Sequence, residues 1–445
     1  MNTSSSQLIV RRGNPISVPP PHQPEEFKQK GMFFLSNIDH IVRWVRTIYA
    51  FRSKDRGHED AGEVIKNALR QLLVHYYPFA GRLVTVSRGK LAVSGYEEGA
   101  VFVEAEADCV LEEIEDVAKV DPTKLREFVY DDGIHGGVKP LEHCPLLIGQ
   151  VTKLKCGGFV LGLCICHCLA DGVTVTELVN SWAELARGMP SISILPCFDK
   201  TTVQPRDPPK VDFPHPEFME IEVKTSISHE QSSRKESMVH KIFPLNNKTI
   251  ENLKATTMED VTTCTTFECL TSFVWRARTR ALDFAPDQET KLMVAVDVRK
   301  KLDPPLPRGY VGNGIGVACV TCTTRKLLSD PFAEVVMLVH DSITMVQNDY
   351  VRSAIDYYEL HRTSQSLGHT MIATKWSRVS FSATDFGWDD AVLMAPVAIR
   401  DEMVIFLPNN GGKEVGDTNS DISVFVGLPE SAMKIFDGLI VTLMN

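Results

Sequence analysis

Two short runs carry residue types suited to chemistry. The first is His167-Cys168-Leu169-Ala170-Asp171-Gly172. An imidazole titrates near neutrality, so it can take a proton from a hydroxyl or amine and later return it. Asp171 and Gly172 make a tight turn into the helix that follows. The bare spacing is a weak signal, because 13 histidines in 445 residues give about one such match by chance. A plainer reading is a strand-end histidine that only caps a turn. Cys166 and Cys168 flank the histidine and raise a third chemistry, a thiolate activated by an imidazole. In an extended strand their side chains point together, to the face opposite His167, which argues against that route.

The second run is Thr384-Asp385-Phe386-Gly387-Trp388. It reads as an Asp-Gly turn flanked by packing aromatics. Protein kinases carry the same Asp-Phe-Gly triplet, but this chain lacks their glycine-rich phosphate loop, strand lysine and catalytic loop. Between Trp275 and Arg308 there are eight basic residues (Arg276, Arg278, Arg280, Lys291, Arg299, Lys300, Lys301, Arg308) and five acidic ones (Asp283, Asp287, Glu289, Asp297, Asp303). That local excess of positive charge reads either as a solvated helix face or as a surface for a phosphorylated small molecule.

The neighbouring patterns say what must position these groups. Phe159 to Cys166 is almost wholly apolar, as expected of a strand covered on both faces. It pairs with a second strand within 145–168 through a turn near Gly157-Gly158. His167 therefore sits at a strand end, where folds expose reactive side chains over a cleft. Residues 174–187 place Val175, Leu178, Val179, Trp182 and Leu185 on one helical face, with Thr174 as N-cap, Glu177 completing a capping box and Gly188 as the stop. Further helices are expected over 59–75 and after Thr265-Thr266, and strands near 291–299, 314–324, 392–407 and 421–428. The run 196–217 contains Pro196, Pro205, Pro208, Pro209, Pro214 and Pro216 with few apolar anchors, the composition of a linker. The chain reads as two α/β domains of about 200 residues each.

Bulk composition narrows the function. The net charge of −10 disfavours a nucleic-acid or anionic-membrane binder. No apolar run is long enough to span a membrane, and the first residues lack the apolar core of a signal peptide. The 11 cysteines, an odd number scattered through strands and helices, read as reduced thiols in the cytoplasm. Cys319 and Cys322 have CxxC spacing but no second pair to complete a zinc site. No metal and no permanently bound cofactor is expected.

Taken together, the blocks YYPFAGRL (76–83), CGGFVLGLCICHCLADG (156–172), TSFVWRARTRAL (271–282), VDVRKKLDPPLPRGYVGNG (296–314) and TDFGW (384–388) resemble the plant BAHD acyltransferases over essentially the whole chain. VWRARTRAL, LPRGYVGNG and MVQNDYVRSAIDYYE look like the branch that moves hydroxycinnamoyl groups to long-chain alcohols and ω-hydroxy fatty acids. The resemblance implies two chloramphenicol-acetyltransferase-like domains, 1–195 and 221–445, joined by a crossover over 196–220, with a segment near 383–405 pairing back onto the first domain. It implies an active-site channel at the interface and a monomer. His167 would be the general base for transfer from acyl-CoA to an alcohol or amine, in a ternary complex without an acyl-enzyme. Asp171, Arg299 (as its ion-pair partner), Asp385 and Gly387 would be structural at the site, and Trp388, Thr265, Thr266 and Asn313 would contact substrate. A silent binding protein of the same fold is the non-enzyme alternative. The family pattern continues DFGWG, whereas this chain has Asp389 and then Asp390. If that position has positive φ, Asp tolerates it at modest cost. Two carboxylates there would attract a protonated amine, which keeps an amide-forming reaction of the piperamide type open beside ester formation.

Overall fold

The computed structural model describes residues 8–22, 31–53, 57–116, 120, 122–134, 139–222, 236–258, 263–363, 367–376, 384–408 and 421–444. The first half of the chain supplies β1 (Val10–Arg12), β2 (Ile16–Val18), β3 (Phe33–Phe34), β4 (Trp44–Phe51), α1 (Ala61–His75), β5 (Arg82–Thr85), β6 (Leu91–Ser94), β7 (Ala100–Ala107), β8 (Leu147–Lys153), β9 (Phe159–Cys166) and α2 (Gly172–Ala186). The second half supplies β10 (Met238–Leu245), α3 (Asn247–Met258), α4 (Thr266–Ala281), β11 (Glu289–Asp297), β12 (Ile315–Thr323), α5 (Phe332–Met345), α6 (Asn348–His361), β13 (Thr370–Lys375), β14 (Leu393–Pro396), β15 (Met403–Pro408), β16 (Ile422–Pro429) and α7 (Glu430–Met444).

These strands build two large mixed sheets and a small one. The first sheet runs β1-β7-β8-β9-β4-β14, with β2 also on β7; the second runs β10-β16-β15-β13-β11-β12; β3, β6 and β5 form the third. Each large sheet has its own apolar core. The exception to sequence order is β14, which pairs antiparallel with β4 from Leu393 opposite Ala50 to Pro396 opposite Thr47. Ala383, at the start of the segment expected to pair there, lies outside the described residues.

Every residue of β9 is buried. Phe159, Leu161 and Leu163 face one core and Val160 and Cys164 another, so an unbroken apolar run is what this central strand needs. In α1, Ile65, Ala68, Leu69, Leu72 and Leu73 form the buried stripe of an amphipathic helix. The helix after His167 starts differently from the sequence expectation. Its N-cap is Asp171, whose carboxylate accepts the Thr174 N–H at 3.1 Å, and Thr174 lies inside the first turn. The acid is the better cap here because its second oxygen stays available for other donors.

The Pro-rich run has only the short 3-10 turns Thr201–Val203 and Pro216–Phe218 and is anchored by buried polar contacts. His215 contacts Glu217 Oε1 through Nδ1 and Ser353 Oγ through Nε2, each at 2.9 Å, and Tyr350 donates to Glu217 Oε2 at 3.0 Å. This set has the composition of a hydrolase triad. However, Ser353 Oγ also accepts the N–H groups of Asp212 and Phe213, and all three triad-like residues are buried. It fastens the crossover to α6. Among the described residues no helix is long and apolar enough to cross a membrane.

Candidate active site

A cavity of about 700 Å³ opens between the two large sheets. Ile165, Val175, Ala295, Ile315, Ile372 and Ile405 make much of its wall apolar, and His167 and Arg43 are among its polar lining residues. His167 continues the line of β9. Its N–H donates to the Arg43 carbonyl at 2.8 Å, and its carbonyl accepts from Asn313 Nδ2 at 2.8 Å. The imidazole is thus presented from backbone that is held on both sides. Burial, and then the nearby Arg43 charge, push its pKa down from the usual 6.5 to about 4. The ring is therefore uncharged at neutral pH.

Asp171, also on the cavity wall, is held by four donors. Arg299 Nη1 and Nη2 reach its two oxygens at 2.8 and 2.7 Å, Gly314 N–H at 2.9 Å and Thr174 N–H at 3.1 Å. Burial alone would raise this carboxyl's pKa, but Arg299 and the two N–H donors outweigh burial and hold it below the usual range. The approach is tight: a Cβ on Gly314 would lie 2.6 Å from Arg299 Nη1, so a larger residue would have to displace the side chain that holds Asp171.

Behind Asn313 lies a hub that sequence reasoning missed. The fully buried Asp39 accepts from the Asn313 N–H at 2.8 Å and from Asn313 Nδ2 at 3.2 Å, and pairs with Lys200 Nζ at 3.0 Å. Lys200 also donates to the Val311 carbonyl at 2.7 Å. Asp39, Lys200 and Asn313 thus connect three distant stretches of chain to the carbonyl of His167. The one local hint was Ser36 with Asp39 at capping-box spacing, a motif that also occurs at ordinary turns.

The second motif is a packing device. Asp385 Oδ1 accepts the N–H groups of Gly387 at 2.6 Å and Trp388 at 3.1 Å, and Gly387 has φ of 98°, which favours glycine. Phe386 is fully buried edge-on against Phe51 and Trp182. Trp388 packs on Phe159, and its indole N–H donates to the Gly57 carbonyl at 2.6 Å. Asp389 has φ of 65°, so the conformation that a glycine would suit is present, and both Asp389 and Asp390 are exposed.

The other expected site residues lie off this cavity. None of Trp388, Thr265, Thr266 and Asn313 lines the cavity. The indole is spent on core packing, Thr265 caps α4 by accepting the Glu268 N–H, Thr266 is that helix's first residue, and Asn313 is buried against His167's backbone. Asp389 and Asp390 are likewise absent from the cavity wall. The basic stretch divides. Arg276 donates to the Asp330 carbonyl, Arg278 to Asp401, Lys291 to Met219 and Lys301 to Val346, while Arg280, Lys300 and Arg308 are exposed. Cys166 and Cys168 are buried in the core off the cavity, and their mutual hydrogen bond together with burial pushes the Cys168 thiol well above its usual range.

The sequence pattern of the Transferase family matches residues 22–439. The chain belongs to this family, the BAHD acyltransferases. It is an acyl-CoA-dependent acyltransferase, which sets aside the silent binding protein. This transferase is 46% identical over 421 residues to an omega-hydroxypalmitate O-feruloyl transferase of Arabidopsis thaliana, covering 93% of this chain and 90% of that one. It is 42% identical to a fatty alcohol:caffeoyl-CoA acyltransferase of the same plant over 439 residues, 98% of this chain and 99% of the other. Its fold is similar to the crystal structure of vinorine synthase, with a TM-score of 0.75 at 19% identity, covering 98% of this chain and 99% of that one. The transferase therefore has the two-lobed chloramphenicol-acetyltransferase-like architecture.

Proposed function

We propose that this transferase moves an aromatic, hydroxycinnamoyl-type acyl group from coenzyme A to the hydroxyl of a long-chain aliphatic alcohol. His167 acts as general base. The observation that carries this reading is a neutral imidazole at a strand end, facing a largely apolar cavity between two lobes. The relatives named above, which act on fatty alcohol and ω-hydroxypalmitate by their names, support the acceptor class. The reading divides the chain at the crossover 196–220, with 1–195 and 221–445 as the two lobes and β14 lent to the first.

In the reaction, both substrates are bound together. The imidazole takes the hydroxyl proton as the oxygen bonds to the thioester carbon, and the carbonyl electron pair moves to its oxygen. When the carbonyl reforms, the C–S bond breaks and the thiolate takes the proton from the imidazolium. No covalent enzyme intermediate forms, and the buried thiols beside His167 take no part. Amide formation loses its sequence-level ground, because the two carboxylates proposed to steer an amine do not line the cavity.

The test supplies one cinnamoyl-type CoA with an aliphatic alcohol series and a small amine series, following free thiol and resolving products by mass. Esters whose rate rises with chain length are expected. Amides without esters, or turnover of acetyl-CoA with none from aromatic donors, overturns the substrate assignment.

A further inference from the structure

Arg43 stands directly across from His167. The register of β4 and β9 pairs Trp44 with Cys166, and one residue further on the His167 N–H donates to the Arg43 carbonyl. Residues opposed in this way send their side chains to the same face, with Cβ atoms about 4.5–5.5 Å apart. Both side chains line the cavity.

The other basic residues of that wall have acidic partners. Arg46 pairs with Asp131 at 3.0 Å, Lys139 with Asp132, and Arg400 with Glu402 at 3.3 Å. Arg43 has none among the described residues. Its Nη1 lies 3.9 Å from the Met403 sulfur, and its buried Nε has no hydrogen-bond partner there. An unanswered cation on an apolar wall is costly. Beside the base it also opposes the imidazolium that forms when His167 takes a proton. That opposition is cancelled only if negative charge arises next to Arg43 in the same step. Acyl transfer creates such a charge, on the carbonyl oxygen of the thioester. A carboxylate at the far end of a long-chain acceptor is out of reach, because the reacting hydroxyl occupies the position beside His167.

We propose that Arg43 is a second catalytic group of this site, its guanidinium binding the acyl carbonyl oxygen as that oxygen becomes anionic. This rests on His167 being the general base. Arg43 neither gives nor takes a proton. The oxygen receives the carbonyl electron pair while the acceptor's proton moves to the imidazole. It returns the pair as the C–S bond breaks and the thiolate is protonated.

The test compares Arg43→Met, Arg43→Lys and His167→Ala with the wild type, using whichever acyl-CoA and alcohol the wild type turns over. Melting temperature and acyl-CoA binding serve as folding controls. Arg43→Met is expected to lower kcat by roughly 10²–10³-fold, the usual worth of one oxyanion donor, with KM for both substrates nearly unchanged. Arg43→Lys should recover part of the loss. The acid limb of the pH–rate profile should also rise in Arg43→Met, since a charge opposing the imidazolium is gone. The charged and titratable groups around this pair are Asp171, Cys168, Arg400 and Glu402. If Arg43→Met does not fold, Arg43→Gln is judged by the same numbers. Wild-type kcat in a folded variant overturns the proposal, as does a loss confined to KM for carboxylate-bearing acceptors. Wild-type kcat in folded His167→Ala instead overturns the general-base reading beneath it.

Discussion

Arg299, just after β11 of the second sheet, grips Asp171, just after β9 of the first, through both terminal guanidinium nitrogens, at 2.7 and 2.8 Å. The same carboxylate caps α2 and accepts the Gly314 N–H. One acidic side chain therefore ties the turn after His167, the start of a helix and a loop of the second sheet into a single unit.

Asp171→Ala should damage folding more than chemistry. Removing one partner of a buried pair leaves a buried charge and costs about 3–5 kcal/mol, while Asp171→Asn keeps a hydrogen bond and costs less. Because the folded carboxyl titrates below its usual range, its contribution is fully present above the unfolded pKa of about 4 and is lost as pH falls through the folded value. Denaturant melts between pH 7 and 3 should show the gap between wild type and Asp171→Asn closing only at the acid end. An Asp171→Ala protein that melts like wild type yet is inactive would give Asp171 a direct chemical role.

His167→Ala should fold normally and lose about 10²–10⁴-fold in turnover, the usual worth of a general base. Burial and the Arg43 charge hold the imidazole near about 4. Its base form is therefore complete well below pH 6.5, and kcat/KM should stay level on acidification through that point. A wild-type acid limb centred at 6.5 contradicts the described surroundings of the ring.

Asn313 is expected to act through His167's backbone. Asn313→Ala strips donors from the buried Asp39 carboxylate and from the His167 carbonyl, a loss of about 1–3 kcal/mol. Turnover should fall with KM little changed, and Asn313→Asp should be worse because it sets a second carboxylate against Asp39. A rise in KM alone would restore Asn313 as a substrate contact.

Coenzyme A binding is best probed at Lys300 and Arg308, the exposed part of the basic stretch nearest Arg299. Charge reversal there should raise KM for acyl-CoA several-fold and leave kcat and the acceptor's KM nearly unchanged, as for contacts made equally in ground and transition states. Arg278→Glu is the contrast: this buried arginine donates to the Asp401 carbonyl, so its reversal should lower the melting temperature.

Asp389→Gly should leave products and rates alone. The residue is exposed, off the cavity and at φ of 65°. Glycine relieves that backbone, although it adds freedom to the unfolded chain, so stability should move by less than about 1 kcal/mol. Amide products that weaken in Asp389→Gly would return Asp389 to the acceptor site.

The sequence by itself determined the elements and the chemistry-bearing turn. A central strand buried on both faces must be apolar throughout, so Phe159–Cys166 was legible, and with it His167 at its end. The 3.6-residue periodicity marked the helices, and contiguous blocks such as CICHCLADG carried the family and the Asp171–Arg299 pairing, because those signals lie within short stretches of chain. Tertiary structure alone decided which distant residues meet at the site. Nothing local in Asp39, Lys200 or Asn313 says that together they secure the His167 carbonyl. Nor does Arg43 show that it faces His167 without an ion-pair partner among the described residues until the strands are placed. The surroundings of Trp388, Asp389 and the basic stretch were open in the sequence for the same reason. Side-chain type is written in the chain, but whether a group faces a cavity, a core or solvent depends on how the two lobes and the strand Leu393–Pro396 pack.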